Sequence, residues 1–173
     1  MSIELVRGLI RDVPDFPKPG IVFKDIAPLL ESGEGLRATV ELMAEATREL
    51  GGDALLGIES RGFLLGSPVA FHLGLGFGLI RKPGKLPRDV VRQEYALEYG
   101  TDAIELHRDA IAPGAKVVII DDVLATGGTA AAACELVRSC GAEIAGCVFL
   151  MELGFLRGRD KLGDVPIRSL LTY

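Results

Sequence analysis

Short, continuously apolar runs alternate twice with helix-like segments, and this pattern decides the class of fold. In the first unit, "ALLGI" (54–58) and "GFGLI" (76–80) flank a helix-like segment over residues 63–73. In the second, "KVVII" (116–120) and "AGCVFLM" (145–151) flank "TAAAACELVRSC". Because these runs show no polar alternation, each strand is expected to be buried on both faces. The sequence therefore predicts an α/β protein with a mostly parallel central sheet flanked by helices.

Three other segments surround these units. Residues 2–12 place apolar side chains at helical spacing, and the prolines of "VPDFPKPG" end that helix. Residues 36–50 predict a helix of about four turns. Between the two units, "VVRQEYALEYGTDAIELHRDAI" alternates in polarity, which predicts an exposed hairpin with its turn near Gly100.

Composition and charge exclude several classes of protein. The chain has 173 residues, which suits one domain with a sizeable core. Its formal net charge of −5 disfavours nucleic acid as a partner. The N-terminal apolar stretch carries charges, and no run approaches the ~18 apolar residues of a membrane span. We therefore expect neither a signal peptide nor an association with membranes.

The cysteines and histidines of the sequence indicate neither a disulfide framework nor a metal site. Cys134, Cys140 and Cys147 are odd in number and lack CxxC spacing, which favours free thiols in a reducing cytoplasm. His72 and His107 are interpreted as structural, because neither has a metal-like partner in the sequence. We expect no dedicated protein metal site.

The segment "VVIIDDVLATGGTA" (117–130) combines two carboxylates with a candidate phosphate cradle. Asp121 and Asp122 fall at the carboxyl end of a predicted parallel strand, where ligands gather. The loop 126–129 then opens a helix, whose unpaired N–H groups and dipole favour an anion. A sugar phosphate fits this pattern, because its vicinal hydroxyls can donate to the carboxylates. The alternative is that both aspartates only cap the loop and the helix.

The same segment resembles the phosphoribosyl-pyrophosphate (PRPP) signature of the type I phosphoribosyltransferases. Further segments resemble the adenine-specific members of this family, in the order "FPKPGIVFKDI", "ESRGF", "LIRKPGKLP", "YALEYG" and "SLLTY". The resemblance implies one domain over residues 1–173 with the type I phosphoribosyltransferase fold. It also implies a small N-terminal hood (mainly 1–35), a flexible β-hairpin lid (about 82–106) and a PRPP loop (117–130).

The resemblance implies a purine salvage enzyme. Such an enzyme transfers the 5-phosphoribosyl group from PRPP to adenine and releases AMP and pyrophosphate. Mg²⁺ is expected to bind mainly through PRPP, because it prefers phosphate oxygens and water over an all-protein cage. Relatives imply a homodimer, and the expected location is cytoplasmic.

The resemblance also assigns roles to the residues that would hold PRPP. The phosphoribosyl group would be bound by Asp121, Asp122, Ala125, Thr126, Gly127, Gly128 and Thr129. Pyrophosphate would be bound by Ser60, Arg61, Arg81, Lys82 and Lys85, with a tight, often cis, peptide between Glu59 and Ser60. The alternative for the basic residues is an ordinary solvated surface cluster.

The adenine assignment rests on the loop, the hairpin and the hood. Ala125 stands where 6-oxopurine relatives carry an Asp close to the purine. Glu98 in "LEYG" therefore matches the carboxylate that handles the purine proton, with Tyr99 helping to close the lid. Adenine itself would be bound by Val22, Phe23, Lys24 and Val123.

Two alternatives remain open from the sequence. A xanthine or guanine phosphoribosyltransferase of the same fold would share the PRPP site and differ in hood and loop. A non-catalytic PRPP-binding regulator would also share it, although such proteins usually carry a separate DNA-binding domain. Neither Glu98 nor the basic loops would have a task in a general sugar-phosphate binder.

Overall fold

The computed structural model describes residues 2–173, which form two compact units, one ending at Leu42 and one running from Met43 to Tyr173. The hood predicted over residues 1–35 falls within the first unit, apart from Met1, which lies outside the described residues. The elements of this unit are α1 (Ile3–Gly8), β1 (Arg11–Pro14), β2 (Val22–Asp25), α2 (Ala27–Glu31) and the start of α3 (Gly33–Leu50).

The N-terminal helix is shorter than its apolar spacing predicts. It ends at Gly8 rather than at residue 12. The reason is strand pairing: β1 runs antiparallel to β2 with Arg11 opposite Asp25, so this stretch of backbone is extended rather than helical. The proline-rich loop is therefore the connection of a β-hairpin, and the N–H of Phe16 donates to the carbonyl of Ile21 at 3.2 Å.

A five-stranded parallel sheet forms the centre of the second unit. Its strand order is β4–β3–β7–β8–β9. The strands are β3 (Ala54–Ile58), β4 (Phe77–Ile80), β7 (Lys116–Leu124), β8 (Glu143–Glu152) and β9 (Ile167–Thr172). The predicted parallel sheet is confirmed, and β9 adds a strand that the apolar pattern did not indicate.

Two crossover helices leave the middle of this sheet in opposite directions. Helix α4 (Arg61–Leu73) connects β3 to β4 on one side, and α5 (Gly128–Ser139) connects β7 to β8 on the other. Because parallel crossovers are right-handed, the two helices cover opposite faces. The strand order therefore reverses between β3 and β7, which is where open α/β sheets bind ligands. Within residues 2–173, no helix has both the length and the apolar character needed to cross a lipid bilayer.

The first turn of α4 lies unusually close to β7. A Cβ on Gly62 would lie 2.8 Å from the carbonyl oxygen of Ile120 and 3.2 Å from Oδ1 of Asp121. Real Cβ atoms almost never approach backbone this closely, so only glycine permits the observed packing. Gly62 thus brings α4 against the strand that carries the two aspartates.

The segment between β4 and β7 is a hairpin, as predicted, but only part of it is exposed. Its strands are β5 (Val90–Ala96) and β6 (Thr101–His107), paired antiparallel. All residues from 103 to 106 are buried, which contradicts the prediction of an exposed hairpin. Ile104 and Leu106 belong to the same apolar cluster as the sheet, and this burial outweighs the polar alternation of the sequence. Residues 96–101 at the tip of the hairpin are all exposed, as are Arg92 and Glu94 on β5.

Candidate active site

A pocket of about 470 Å³ lies at the carboxyl end of the sheet, beside the reversal between β3 and β7. Its polar wall comes from the segments that follow β3, β4 and β7, three neighbouring parallel strands. The predicted site residues that line it are Ser60, Arg61, Lys82, Asp121, Asp122, Val123, Ala125, Thr126, Gly127, Gly128 and Thr129. Residues far apart in sequence are thus brought together by the strand order.

The two aspartates occupy different environments. Asp122 is buried and its carboxylate accepts a hydrogen bond from Nε of Arg61. Oδ1 of Asp121 accepts from the backbone N–H of Asp122 at 2.9 Å. Burial, together with the charge of Asp122, raises the pKa of Asp121 well above its usual range. Neither side chain caps α5, which contradicts the alternative that both serve as caps of that helix.

The loop after β7 leaves the start of α5 open. Gly127 is the N-cap, with a φ of 86°, and no side chain satisfies the first N–H groups of α5. These donors and the helix dipole face the pocket end of the sheet, which suits a phosphate. The loop thus has the donors that the sequence predicts.

Gly127 has a second role that the sequence did not show. A Cβ at this position would clash with the carbonyl oxygen of Gly158. A β-branched residue at Gly127 would therefore disturb the fold as well as crowd the phosphate cradle, because the left-handed φ and the backbone contact both require glycine.

The predicted pyrophosphate residues are placed differently from one another. Ser60, Arg61 and Lys82 line the pocket, whereas Arg81 and Lys85 are absent from its lining. Lys85 is exposed, and the Arg81 guanidinium lies 3.5 Å from the carboxylate of Glu59. The peptide between Glu59 and Ser60 is cis, as the resemblance implied. Arg61 and Lys82 are thus ion-paired at the pocket, Arg81 is ion-paired outside its lining, and Lys85 is exposed.

Glu59 is a site residue that the sequence analysis missed. Its side chain is largely buried and its Oε1 accepts from the backbone N–H of Lys82 at 2.5 Å. The same carboxylate pairs with Arg81. Glu59 therefore holds the start of the basic loop against the end of β3. Its position directly after a buried strand, next to Ser60 and Arg61, is the signal that could have found it.

Tyr95 and Asp102 were missed as well. They are directly opposite each other in the hairpin, and both contact the ammonium group of Lys82. A hydrogen bond from Lys82 lowers the pKa of Asp102. The hydroxyl of Thr129 donates to the hydroxyl of Tyr95 at 3.2 Å. No local sequence pattern predicts these contacts, since each joins residues from different segments.

The predicted proton-transfer residue lies outside the pocket. Glu98 and Tyr99 are in the exposed tip of the hairpin and neither is part of the pocket lining. Val123, by contrast, lines it. Val22, Phe23 and Lys24 lie in β2 of the first unit, where Phe23 packs edge-on against Phe16 and Lys24 pairs with Asp12 at 2.6 Å. The roles of these residues toward adenine remain predictions.

The pocket offers Mg²⁺ little beyond the two aspartates. Across residues 2–173 no group of three or more His, Cys, Asp or Glu side chains is arranged to hold a metal ion. Two adjacent carboxylates supply hard oxygen atoms, which suit Mg²⁺ when phosphate oxygens and water complete its octahedral shell. The residues present therefore fit an ion that arrives with a phosphorylated substrate.

Comparison with known proteins agrees with this geometry. Residues 27–165 match the family model described as the phosphoribosyl transferase domain. The adenine phosphoribosyltransferase of Rhodospirillum centenum is 56% identical, over 97% of this chain and 98% of that protein, and that of Rubrobacter xylanophilus is 53% identical, over 99% and 94%. The crystal structure of the Thermoanaerobacter pseudethanolicus adenine phosphoribosyltransferase superposes with a TM-score of 0.96 at 47% identity, covering 99% of this chain and 100% of that one.

A solved complex adds ligands to the comparison. The adenine phosphoribosyltransferase of Saccharomyces cerevisiae, complexed with D-2,5-dideoxy-2,5-imino-altritol 1,6-bisphosphate and adenine, gives a TM-score of 0.92 at 40% identity, with 98% of each chain covered. The family match covers most of this chain, and the relatives align with it over nearly their whole length. The chain belongs to the phosphoribosyl transferase family.

Proposed function

We propose that the protein is an adenine phosphoribosyltransferase, which converts adenine and PRPP to AMP and pyrophosphate. The observation that carries the proposal is that Asp121, Asp122 and the uncapped start of α5 line the same pocket. That arrangement suits a ribose 5-phosphate, with carboxylates for the diol and N–H donors for the phosphate. The relatives described above carry the same name.

The reaction breaks the bond between the ribose anomeric carbon and the pyrophosphate oxygen while a nitrogen of adenine attacks that carbon. Positive charge develops on the ribose and negative charge on the departing pyrophosphate. Lys82 and the N–H groups near Ser60 would stabilise the leaving group electrostatically. Mg²⁺, when bound through PRPP, would add positive charge at the same phosphates. The aspartates would hold the ribose so that its anomeric carbon faces the base.

Arg61 can keep its contact with Asp122 in this scheme and gain a second partner. In the structure its Nε donates to Asp122, so the guanidinium is engaged before substrate arrives. Its planar fork has five N–H donors, which allows it to contact pyrophosphate with the remaining ones. Arg61 would therefore connect the ribose-binding carboxylate to the leaving group.

Adenine recognition is proposed for Val22, Phe23, Lys24 and Val123, and purine proton transfer for Glu98. Ala125 supports adenine over a 6-oxopurine, because the loop lacks a third carboxylate near the base. A carboxylate on a hairpin tip can serve the reaction only if the tip closes over the pocket. Closure would also exclude the water that could capture a ribosyl cation.

Homodimeric assembly and a cytoplasmic location are part of the proposal. Leu64 and Phe71 are exposed on one face of α4, and Leu79 is exposed on the edge strand β4. Such an apolar patch favours a protein partner, and a second copy of the chain is the simplest one. The three cysteines are free, which suits a reducing compartment.

The test is formation of AMP and pyrophosphate from adenine and PRPP with Mg²⁺, with hypoxanthine, guanine and xanthine assayed in parallel. We expect turnover with adenine to exceed that with each 6-oxopurine. Preferred turnover of guanine or xanthine would assign the protein to the alternative enzymes. Tight PRPP binding without turnover of any base would identify a regulator.

A further inference from the structure

The hydroxyl of Tyr95 joins three parts of the site. Its oxygen lies 3.3 Å from Nζ of Lys82, 3.2 Å from Oδ2 of Asp102 and 3.2 Å from Oγ1 of Thr129. Lys82 belongs to the basic loop, Asp102 to the hairpin and Thr129 to the phosphate loop. One side-chain oxygen thus contacts residues assigned to opposite ends of PRPP.

The donors and acceptors around this oxygen can be assigned without ambiguity. A phenol has one hydrogen to donate and two lone pairs that accept. The ammonium of Lys82 can only donate and the carboxylate of Asp102 can only accept, so Tyr95 donates to Asp102 and accepts from Lys82. The second lone pair accepts from the hydroxyl of Thr129. The phenol is then fully satisfied, and a change at any of the three partners affects the other two.

This network determines where Lys82 can place its charge. Lysine has a long, flexible side chain, and fixing it in one place costs rotamer entropy. Contacts with Asp102 and Tyr95 meet that cost before substrate binds, and Lys82 still lines the pocket. The hydroxyl of Thr129 is fixed in the same way at the first turn of α5.

We propose that Tyr95 is a positioning residue that sets Lys82 and Thr129 as one unit, so that binding at the pyrophosphate end and binding at the 5-phosphate end reinforce each other. The inference rests on the proposed function, which assigns pyrophosphate to Lys82 and the 5-phosphate to the loop of Thr129. A ligand that orders Lys82 at the pyrophosphate end also orders Thr129 through Tyr95, which lowers the entropy cost of binding at the 5-phosphate end. Because the coupling free energy between two binding sites is reciprocal, a ligand at the 5-phosphate end tightens pyrophosphate binding by the same factor.

A purely structural role for Tyr95 makes a different prediction. The ring is half-buried against the apolar cluster, and Nζ of Lys82 lies 5.8 Å from its centre. Tyr95→Phe keeps the ring, its packing and its contact with the ammonium, and removes only the hydroxyl. If the ring alone matters, this variant behaves like the parent.

The experiment measures pyrophosphate binding by calorimetry with Mg²⁺, in the absence and presence of saturating ribose 5-phosphate. These two ligands occupy both ends of the site and cannot react to form PRPP without a further activating step. We expect ribose 5-phosphate to tighten pyrophosphate binding to the parent. In Tyr95→Phe, pyrophosphate binding alone should weaken by about 2- to 12-fold, the worth of one hydrogen bond, and the tightening should disappear. The KM for PRPP should rise with it, while the KM for adenine stays unchanged.

Two further variants separate positioning from general damage. In a Lys82→Met background, Tyr95→Phe should cause no additional loss of pyrophosphate affinity, because the group that it positions is gone. Tyr173→Phe removes a phenolic hydroxyl outside the pocket lining and should bind pyrophosphate like the parent. Melting temperatures confirm that each variant is folded.

The outcomes distinguish this inference from the proposed function. If the parent protein neither forms AMP nor binds pyrophosphate, both the proposed function and the positioning role of Tyr95 are wrong. If the parent does both and Tyr95→Phe retains parental affinity and tightening, the positioning role is wrong and the function stands. The positioning role would also be refuted if Tyr95→Phe lowered pyrophosphate affinity by the same factor in the parent and in the Lys82→Met background.

Discussion

At the scale of single residues, Asp121 shows a conflict between binding and stability. Its pKa is raised by burial and by the neighbouring carboxylate of Asp122, so the folded state disfavours its charge. A raised folded pKa means that stability is greatest below the unfolded value of ~3.9 and is lost as the pH rises toward the folded value. At neutral pH, Asp121 therefore destabilises the fold, although the proposed function requires its carboxylate.

Asp121→Asn should show both sides of this conflict. We expect a melting temperature above that of the parent at pH 7, because asparagine has no carboxyl group whose ionisation the folded state disfavours, with a difference that shrinks as the pH falls toward ~4. PRPP affinity should fall by roughly 1.5–3 kcal/mol, the worth of a charge-assisted hydrogen bond. Calorimetry and thermal melting across pH measure the two effects. A variant that is less stable than the parent at pH 7 would contradict the burial argument.

Glu98 can take part in the proposed reaction only if the hairpin tip moves, because it lies outside the pocket lining. Glu98→Gln keeps the shape and loses the ability to accept a proton. If the tip closes and Glu98 takes the purine proton, the chemical step should slow by about 10²- to 10⁴-fold while PRPP affinity changes little. Pre-steady-state measurement of AMP formation tests this, because product release can hide the chemical step. A parental rate for that step would show that the proton leaves by another route.

At the scale of elements, the close contact between α4 and β7 positions the site. Gly62→Ala would put a Cβ 2.8 Å from a backbone carbonyl, which no side-chain rotation can relieve. We expect a loss of about 1–3 kcal/mol in the free energy of unfolding, typical of overpacking, and weaker PRPP binding because Asp121 lies at the same contact.

Gly33→Ala is the matched control for Gly62→Ala. Gly33 also opens a helix, and a Cβ there would meet nothing within 4 Å. It should leave the unfolding free energy unchanged or slightly increased, since alanine favours helix. Chemical denaturation compares the two variants, and equal effects would show that the contact with Ile120 is not the cause.

The elements differ in how well the sequence predicted them. Strands β3, β4, β7 and β8 and helices α3, α4 and α5 form close to where apolar periodicity indicates, because β3, β7 and β8 and one face of each helix are largely buried. The expectation of burial on both faces is wrong for β4, an edge strand on which Leu79 is exposed. Strand β1 and the burial of β6 were missed. Strand β1 depends on its pairing with β2 across the proline-rich loop, which the helical spacing of residues 2–12 does not reveal. The burial of β6 depends on an apolar cluster built from segments distant in sequence, which a local pattern does not encode.

The same division applies to the candidate site. Asp121, Asp122 and the loop up to Thr129 form one continuous motif, so the sequence identifies them together. Glu59, Tyr95 and Asp102 act by contacting other segments, and only the strand order and the hairpin register bring those contacts about. Motifs thus reveal residues that bind a ligand directly, whereas residues that hold them in place require the fold.

At the scale of the whole molecule, assembly can be tested through the apolar patch on α4. Phe71 is 90% exposed, and Phe71→Glu places a charge in that patch. If two copies of the chain associate through it, the parent should sediment as a dimer and the variant as a monomer at the same concentration. Phe155→Glu, the same change at another exposed phenylalanine, should remain dimeric. A dimeric Phe71→Glu would place the interface elsewhere.

Three cations in or beside the pocket each face a carboxylate. Arg61 and Lys82, which line the pocket, face Asp122 and Asp102, and Arg81, outside the lining, faces Glu59. Before substrate arrives, these pairs act as built-in counter-ions, and ligand binding becomes an exchange of one anion for another. Chloride or a single phosphate gains little from such an exchange, since it replaces one contact with an equivalent one. A ligand with several linked negative charges can replace more than one carboxylate at once. In the proposed function, this resting charge balance would favour pyrophosphate over the abundant small anions of a cell.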